Sequence, residues 1–234
     1  MKNLKRNAAI LSVALALAAT SVSQAIPTIR ITDGSVTVTV QDGGAGDASA
    51  QAGFVSYTAV PGTFAGWSVI LSAGTTKPII GSATAPELDL NWSITRTAGA
   101  GNGTLTVLFS ENGFNLATAG SAVTASGGTL GTSVANSATI RTYYAGNNVE
   151  LNQASLLTSQ VFNGPNPFGQ NAFGAVPADP TVAFTVRLDL VQAGGQITSG
   201  DIHLFVNAPE GGSMVTFLGT ALLALGAFAA RRKA

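Results

Sequence analysis

Between Ile26 and Val206 apolar and polar residues alternate with period two almost throughout, and the chain has no cysteine. Whatever it folds into must therefore bury one face of each strand rather than staple loops together. Glu87 to Arg96 carries the pattern most cleanly. Leu88, Leu90, Trp92 and Ile94 fall on one face, and Glu87, Asp89, Asn91, Ser93 and Thr95 on the other, which predicts one face in a core and one in water.

The same alternation, punctuated by turn residues, runs along the chain. Ile29 and Ile31, the dipeptide Asp33-Gly34, then Val36, Val38 and Val40 predict a tight hairpin. Strands follow over Phe54 to Val60 and Gly66 to Ser72, with Lys77-Pro78 as a break. Gly99 to Gly103 leads into Leu105, Val107 and Phe109, so Glu87 to Ser110 is expected to form a second hairpin. Ala117 to Gly131, rich in Ala, Ser, Thr and Gly, predicts only a short strand and a mobile loop. Val134 to Tyr144 regains strand character. Ala145 to Pro180 is the least regular stretch; Leu151 to Val161 suits a short helix or a strand, and Pro165 and Pro167 forbid a central strand there. Val182 to Leu190 and Ile202 to Val206 close the series. Many short strands without a long helix between residues 26 and 208 predict an antiparallel β-sandwich of jelly-roll or Greek-key type.

Charge narrows the partners. Between Ile26 and Ala208 five bases (Arg30, Lys77, Arg96, Arg141, Arg187) stand against ten acids. Scattered bases in an acidic body predict no stripe for nucleic acid or anionic lipid. The absence of cysteine also excludes thiolate metal sites and a cysteine nucleophile.

Candidate chemistry is sparse. His203 is the only histidine and falls on the outward parity of the last strand, so it is expected to face solvent rather than serve a triad or a metal. Glu87 and Asp89 share a face about 6 to 7 Å apart by the strand repeat; glycosidases set such a pair across a cleft, so a solvated face is expected here. Asp42 and Asp47 bracket glycines and read as a loop rather than a calcium site. No catalytic constellation, metal or cofactor is expected. The binding candidates are Tyr143 and Tyr144 with Asn166 and Phe168 of the amide-rich stretch that follows. Adjacent strand aromatics face opposite ways, so one is available to stack on a sugar ring, although packing of a long loop explains the same residues.

Both ends of the chain read as addresses. Lys2, Lys5 and Arg6, an apolar run from Ala8 to Ala19, and Ser23-Gln24-Ala25 predict a signal peptide over residues 1–25 with cleavage after Ala25. At the other end Pro209-Glu210-Gly211-Gly212-Ser213 precedes an uncharged run from Met214 to Ala230 and then Arg231-Arg232-Lys233. At 1.5 Å per residue that run reaches about 25 Å, enough to span a bilayer with help from its flank. These last residues resemble the C-terminal sorting domain of the PEP-CTERM class and its VPDSG-CTERM relative. Pro209 and Glu210 match the first two PEP positions, with Gly211 in place of the second proline. Against Val-Pro-Asp-Ser-Gly, Pro209 and Gly212 align while Ala208, Glu210 and Gly211 differ, so both subclasses stay open. The resemblance implies export through Sec-type machinery, sorting by an exosortase-like membrane protease, and display at the cell surface or in the extracellular matrix of a Gram-negative bacterium, in association with exopolysaccharide. A plain membrane anchor accounts for the same run without a protease. Residues 26–208 would then be a non-enzymatic surface domain or, alternatively, a module binding extracellular polysaccharide.

Overall fold

The computed structural model describes residues 26–207. The signal-peptide expectation at Ser23 and Ala25 and the sorting expectation from Pro209 to Arg232 lie outside the described residues. Among the described residues there is no helix, and so none long and apolar enough to cross a membrane.

Twelve strands are formed: β1 (Thr28–Thr32), β2 (Thr37–Gln41), β3 (Phe54–Thr58), β4 (Trp67–Thr75), β5 (Glu87–Arg96), β6 (Gly103–Leu116), β7 (Gly120–Thr129), β8 (Ser137–Ala145), β9 (Ser155–Asn163), β10 (Pro167–Val176), β11 (Asp179–Gln192) and β12 (Ile197–Asn207). They build two antiparallel six-stranded sheets. Sheet I runs β2-β1-β6-β11-β8-β9 and sheet II runs β10-β7-β12-β5-β4-β3. The ladders are nested, β5 with β12, β6 with β11, β7 with β10 and β8 with β9. That is jelly-roll winding of eight strands, extended at one side by β1 to β4.

The period-two stripes meet between the sheets. Leu88, Leu90, Trp92 and Ile94 of β5 face Leu105, Val107 and Phe109 of β6 and the β11 stripe Val182 to Leu190, all buried in one cluster with Ile202, Leu204 and Val206 of β12. Burying a side chain of this kind contributes roughly 1.5 to 3 kcal/mol. The hairpin predicted over β1 and β2 forms, with Thr28 opposite Gln41.

Two expectations are corrected and a third is resolved. Glu87 to Ser110 is not a hairpin, because β5 and β6 lie in different sheets. Alternation is equally satisfied when two stripes share a face or oppose each other, so the pattern did not separate the two. β5 pairs with β12 and β4 instead, and side-chain bonds hold its end. Arg96 donates from Nε to Gly101 O (3.0 Å) and from Nη1 to Ala65 O (2.8 Å), which folds the turn over the end of the sandwich. A Cβ on Gly194 would come within 2.0 Å of Ala100 O, so that neighbouring turn is close-packed there too.

Ala117 to Gly131 is not a short strand and a mobile loop but a ten-residue strand inside sheet II, between β10 and β12. Its small residues serve close approach. The inward hydroxyl of Thr124 meets Thr158 (2.8 Å), Ser126 donates to Gln160 Oε1 (2.9 Å), and a Cβ on Gly128 would stand 2.2 Å from Ser199 O. A polar seam between the sheets, fully bonded, replaces apolar packing there.

Ala145 to Pro180, the least regular stretch by sequence, holds two strands, and of the two alternatives for Leu151 to Val161 it is the strand that forms. β9 and β10 are edge strands, and Pro167 opens β10, where a missing N–H is tolerated. Leu151 to Val161 contributes to β9 and forms no helix. Residues 146–154 form the longest irregular segment of this stretch, with short turns at 164–166 and 177–178, and they strap across the outer face of sheet I.

Candidate functional site

The outer face of sheet II is set by parity. With Leu88, Leu90, Ile202 and Leu204 inward, their neighbours point out, and the register lines them up across strands. One row reads Phe173, Val123, Phe205, Glu87; the next Asn171, Ala125, His203, Asp89; the third Gly169, Gly127, Asp201, Asn91. The middle of the face is floored by Ala125, Gly127 and Gly169, and polar groups stand around it. His203 Nε2 lies 2.6 Å from Glu87 Oε1, and Asn91 Nδ2 donates to Asp89 Oδ2 at 3.1 Å. Burial pushes the Asp89 carboxyl above its ordinary value, against the opposing pull of the Asn91 hydrogen bond and of His203. A shallow cleft of about 310 Å³ opens beside Glu87, His203 and Phe205. At the rim Phe173 is 71% exposed.

His203, Glu87 and Asp89 therefore keep the predicted direction and lose the predicted wetness. All three are half-buried, because outward side chains on paired strands crowd against those of their neighbours. Glu87 and Asp89 sit next to each other on one strand and do not face each other across a cleft.

The four glycan candidates are not brought together. Tyr144 turns inward, its ring edge on Phe184 at 6.1 Å and its O–H donating to Asp179 Oδ2 at 2.5 Å. Burial and this carboxylate push the phenol up to about 12. Tyr143 turns outward, in the row Ser110, Thr185, Tyr143 that the strap joins at Ser110, but is only 8% exposed. Phe168 stacks on Phe162 (4.5 Å) and Trp92 (6.5 Å) at the core's edge, and Asn166 is exposed in the turn between β9 and β10. Neither tyrosine is open for stacking. Phe173 is the exposed ring instead, and parity was the signal: it lies five residues from the inward Phe168 on one strand, hence on the opposite face.

The strap is tied down by side chains. Thr28 Oγ1 donates to Glu150 Oε2 (2.8 Å), Leu151 N–H to Ser110 Oγ (3.0 Å), Gly113 N–H to Asn148 Oδ1 (2.7 Å) and Arg187 Nη1 to Gln153 Oε1 (2.6 Å). Leu151 holds φ 57°, a left-handed conformation that costs an L side chain about 1 to 2 kcal/mol and persists because these contacts fix it.

A larger cleft of about 640 Å³ opens at one end of the sandwich, lined among others by Asp42, Ala52, Lys77, Pro78 and Ala83, with Glu111 buried at its floor. Thr76 Oγ1 donates to Glu111 Oε2, and Lys77 Nζ stands 3.0 Å from Oε1 while donating to Asn112 O (2.7 Å). The Lys77 ammonium also lies 3.7 Å from the centroid of Phe114. Burial raises the Glu111 carboxyl and lowers the Lys77 ammonium, each opposed by the partner's charge. Asp42 and Asp47 are spent on loop backbone, accepting from Gly53 N–H (2.6 Å) and from Gly43, Ser49 and Ser56 N–H (2.9 to 3.0 Å). Among the described residues no group of three or more acidic, His or Cys side chains is placed to hold a metal ion.

Fold and faces together define a β-sandwich domain with two broad, differently furnished outer surfaces. No family model matches the chain, and no curated protein matches it. Solved structures with a similar course include the carbohydrate-binding module TmCBM61 in complex with β-1,4-galactotriose (8% identity, TM-score 0.31, covering 61% of this chain and 88% of that one). A cleaved adhesin domain of Lys-gingipain from Porphyromonas gingivalis matches at 12% identity and TM-score 0.34, over 67% of this chain and 98% of that one. A carbohydrate-binding module of the β-sandwich superfamily matches at 14% and 0.32, over 74% and 65%. At these values the likeness is of one β-sandwich to another and says nothing of a ligand.

Proposed function

We propose that the described domain is a non-catalytic carbohydrate-binding module whose glycan lies across the outer face of sheet II. The observation that carries this reading is the floor of small residues, Ala125, Gly127 and Gly169, with Asn171, His203, Asp201 and Asn91 around it and the exposed Phe173 ring at its rim. A sugar ring offers hydroxyls at its edge and C–H groups on its face. Amide and carboxylate oxygens accept from the hydroxyls, amide and imidazole N–H groups donate to them, and an aromatic ring stacks on the C–H face. The test is retention of the full chain on a panel of neutral polysaccharides. Wild type should be retained by at least one, with Phe173→Ala and Asn91→Ala each weakening it about tenfold. Retention by none, or variants that bind as wild type does, would overturn the reading.

The address is proposed with it. The leader ending at Ala25 and the tail from Pro209 to Arg232 support export through Sec-type machinery and sorting by an exosortase-like protease to the cell surface or matrix, where extracellular polysaccharide is at hand. Replacing Pro209-Glu210 by Ala-Ala should leave the chain uncut in the membrane of its own host. Equal masses for variant and wild type, both ending at Ala234, would instead leave a plain membrane anchor.

A further inference from the structure

Sequence order scatters the bases; the register of sheet I collects them. Arg30 of β1 stands opposite Leu108 of β6, Leu108 opposite Arg187 of β11, and Arg187 opposite Arg141 of β8. Three of the five bases between residues 26 and 208 thus occupy one cross-strand row on the outer face. At about 4.8 Å between strands, Arg187 lies one step from Arg141 and two steps from Arg30.

Like charges placed directly opposite destabilise a sheet unless something offsets them. Here a single carboxylate serves two guanidinium groups. Asp189 Oδ2 is 2.7 Å from Arg141 Nη1 and 2.8 Å from Arg187 Nε, and its Oδ1 is 2.8 Å from Arg187 Nη2. Arg30 has only Thr39 Oγ1, at 3.4 Å, and no ion pair among the described residues. The row therefore keeps two positive charges in excess. Leu108, at its centre, is 4% exposed, in keeping with arginine stems closing over it. The strap walls one side of the row, and Thr106 and Thr139 flank the other.

We propose that this row is a second binding site, for an acidic polysaccharide carrying carboxylates along its length. A guanidinium fork matches a carboxylate in two parallel hydrogen bonds, and hydroxyls beside it suit the neutral part of each sugar. The sparseness of the charge selects among polyanions. Duplex nucleic acid presents one charge per about 1.7 Å, and anionic membranes are met by clusters of about four to eight bases. Two excess charges on an acidic domain fall short of both. The site shares no residue with the face of sheet II, so the two readings stand or fall separately.

The experiment measures binding of the full chain to immobilised polygalacturonate and alginate, with fully methyl-esterified polygalacturonate as the uncharged control. Wild type should bind the acids more tightly than the ester, and more weakly as salt rises. Arg30→Gln, whose fold rests on no ion pair at that position, should weaken binding at least fivefold, and Arg30→Gln with Arg141→Gln at least fiftyfold. Phe173→Ala, on the other face, should bind the acids as wild type does. Circular dichroism of each variant reports whether its sheets remain. Absence of binding to both acids, equal binding to the ester, a folded double variant that binds like wild type, or tighter binding to DNA or to phosphatidylglycerol vesicles would overturn the proposal.

Discussion

Sheet I hides part of its outer face beneath residues 146–154 and sets Arg30, Arg187 and Arg141 in a row beside them, whereas no described segment crosses the outer face of sheet II, which places Glu87, Asp89 and Asp201 around one histidine. Both faces come from the same two-residue period and the same winding. Period decides which side chains leave the core; it does not decide what they meet outside. That is decided by register, which gathers like residues from distant strands, and by whichever loop returns over the sheet.

The largest way to break this comparison is to remove the cover. Replacing residues 147–153 with a Gly-Ser segment of equal length should uncover Ser110, Thr185 and Tyr143 and lower the unfolding free energy by about 3 kcal/mol in urea titrations. A loss below about 1 kcal/mol would mean that both faces are equally open in solution.

Burial sharpens the contrast among ion pairs. Glu111→Gln leaves the largely buried Lys77 ammonium without its counter-charge and should cost about 3 kcal/mol, while replacing both partners by Leu and Met should recover most of it. A cost for Glu111→Gln no greater than for an exposed pair would remove the distinction.

Tyr144→Phe should cost about 1 kcal/mol at neutral pH by deleting a charge-assisted hydrogen bond. It also changes the pH profile. Because the folded phenol ionises at about 12 and an unfolded tyrosine near 10, the folded state keeps a proton that the unfolded chain releases, and stability falls as pH rises through that window. Asp179 is held below its ordinary value by the same O–H, so its contribution is present above the ordinary carboxylate pKa and is lost as pH falls through the lowered one. Tyr144→Phe should flatten the alkaline limb and weaken the acid one; unchanged unfolding curves between pH 9 and 12 would contradict the assignment.

The smallest effect belongs to the outer face of sheet II. His203→Ala or Glu87→Gln should change stability by less than about 1 kcal/mol, since a half-exposed pair contributes little. A larger loss would show that sheet II is covered as sheet I is.

Much of the fold was legible because it is local. Asp33-Gly34 announced the first hairpin, the stripes of β5, β11 and β12 announced their buried faces, and Pro165 and Pro167 kept β10 at an edge. What escaped depends on partners far along the chain. β7 looks featureless because its Thr, Ser and Gly fit a polar seam supplied by β8 and β9, some twenty to forty residues away. Tyr143 loses its role to burial in a row joined by a strap whose path no local pattern encodes, and Phe173 gains one through parity with Phe168. Of the candidate chemistry, His203, Glu87 and Asp89 were on the outward side as read, and only their neighbours were missing.

The most direct test of two separate surfaces crosses two variants with two polymers: Phe173→Ala and the Arg30→Gln, Arg141→Gln double variant, each measured on polygalacturonate and on the neutral polysaccharide that retains wild type best. Each variant should lose about tenfold or more on its own polymer and bind the other as wild type does. Variants that lose both polymers together, or neither, would contradict a sandwich with two independent binding faces.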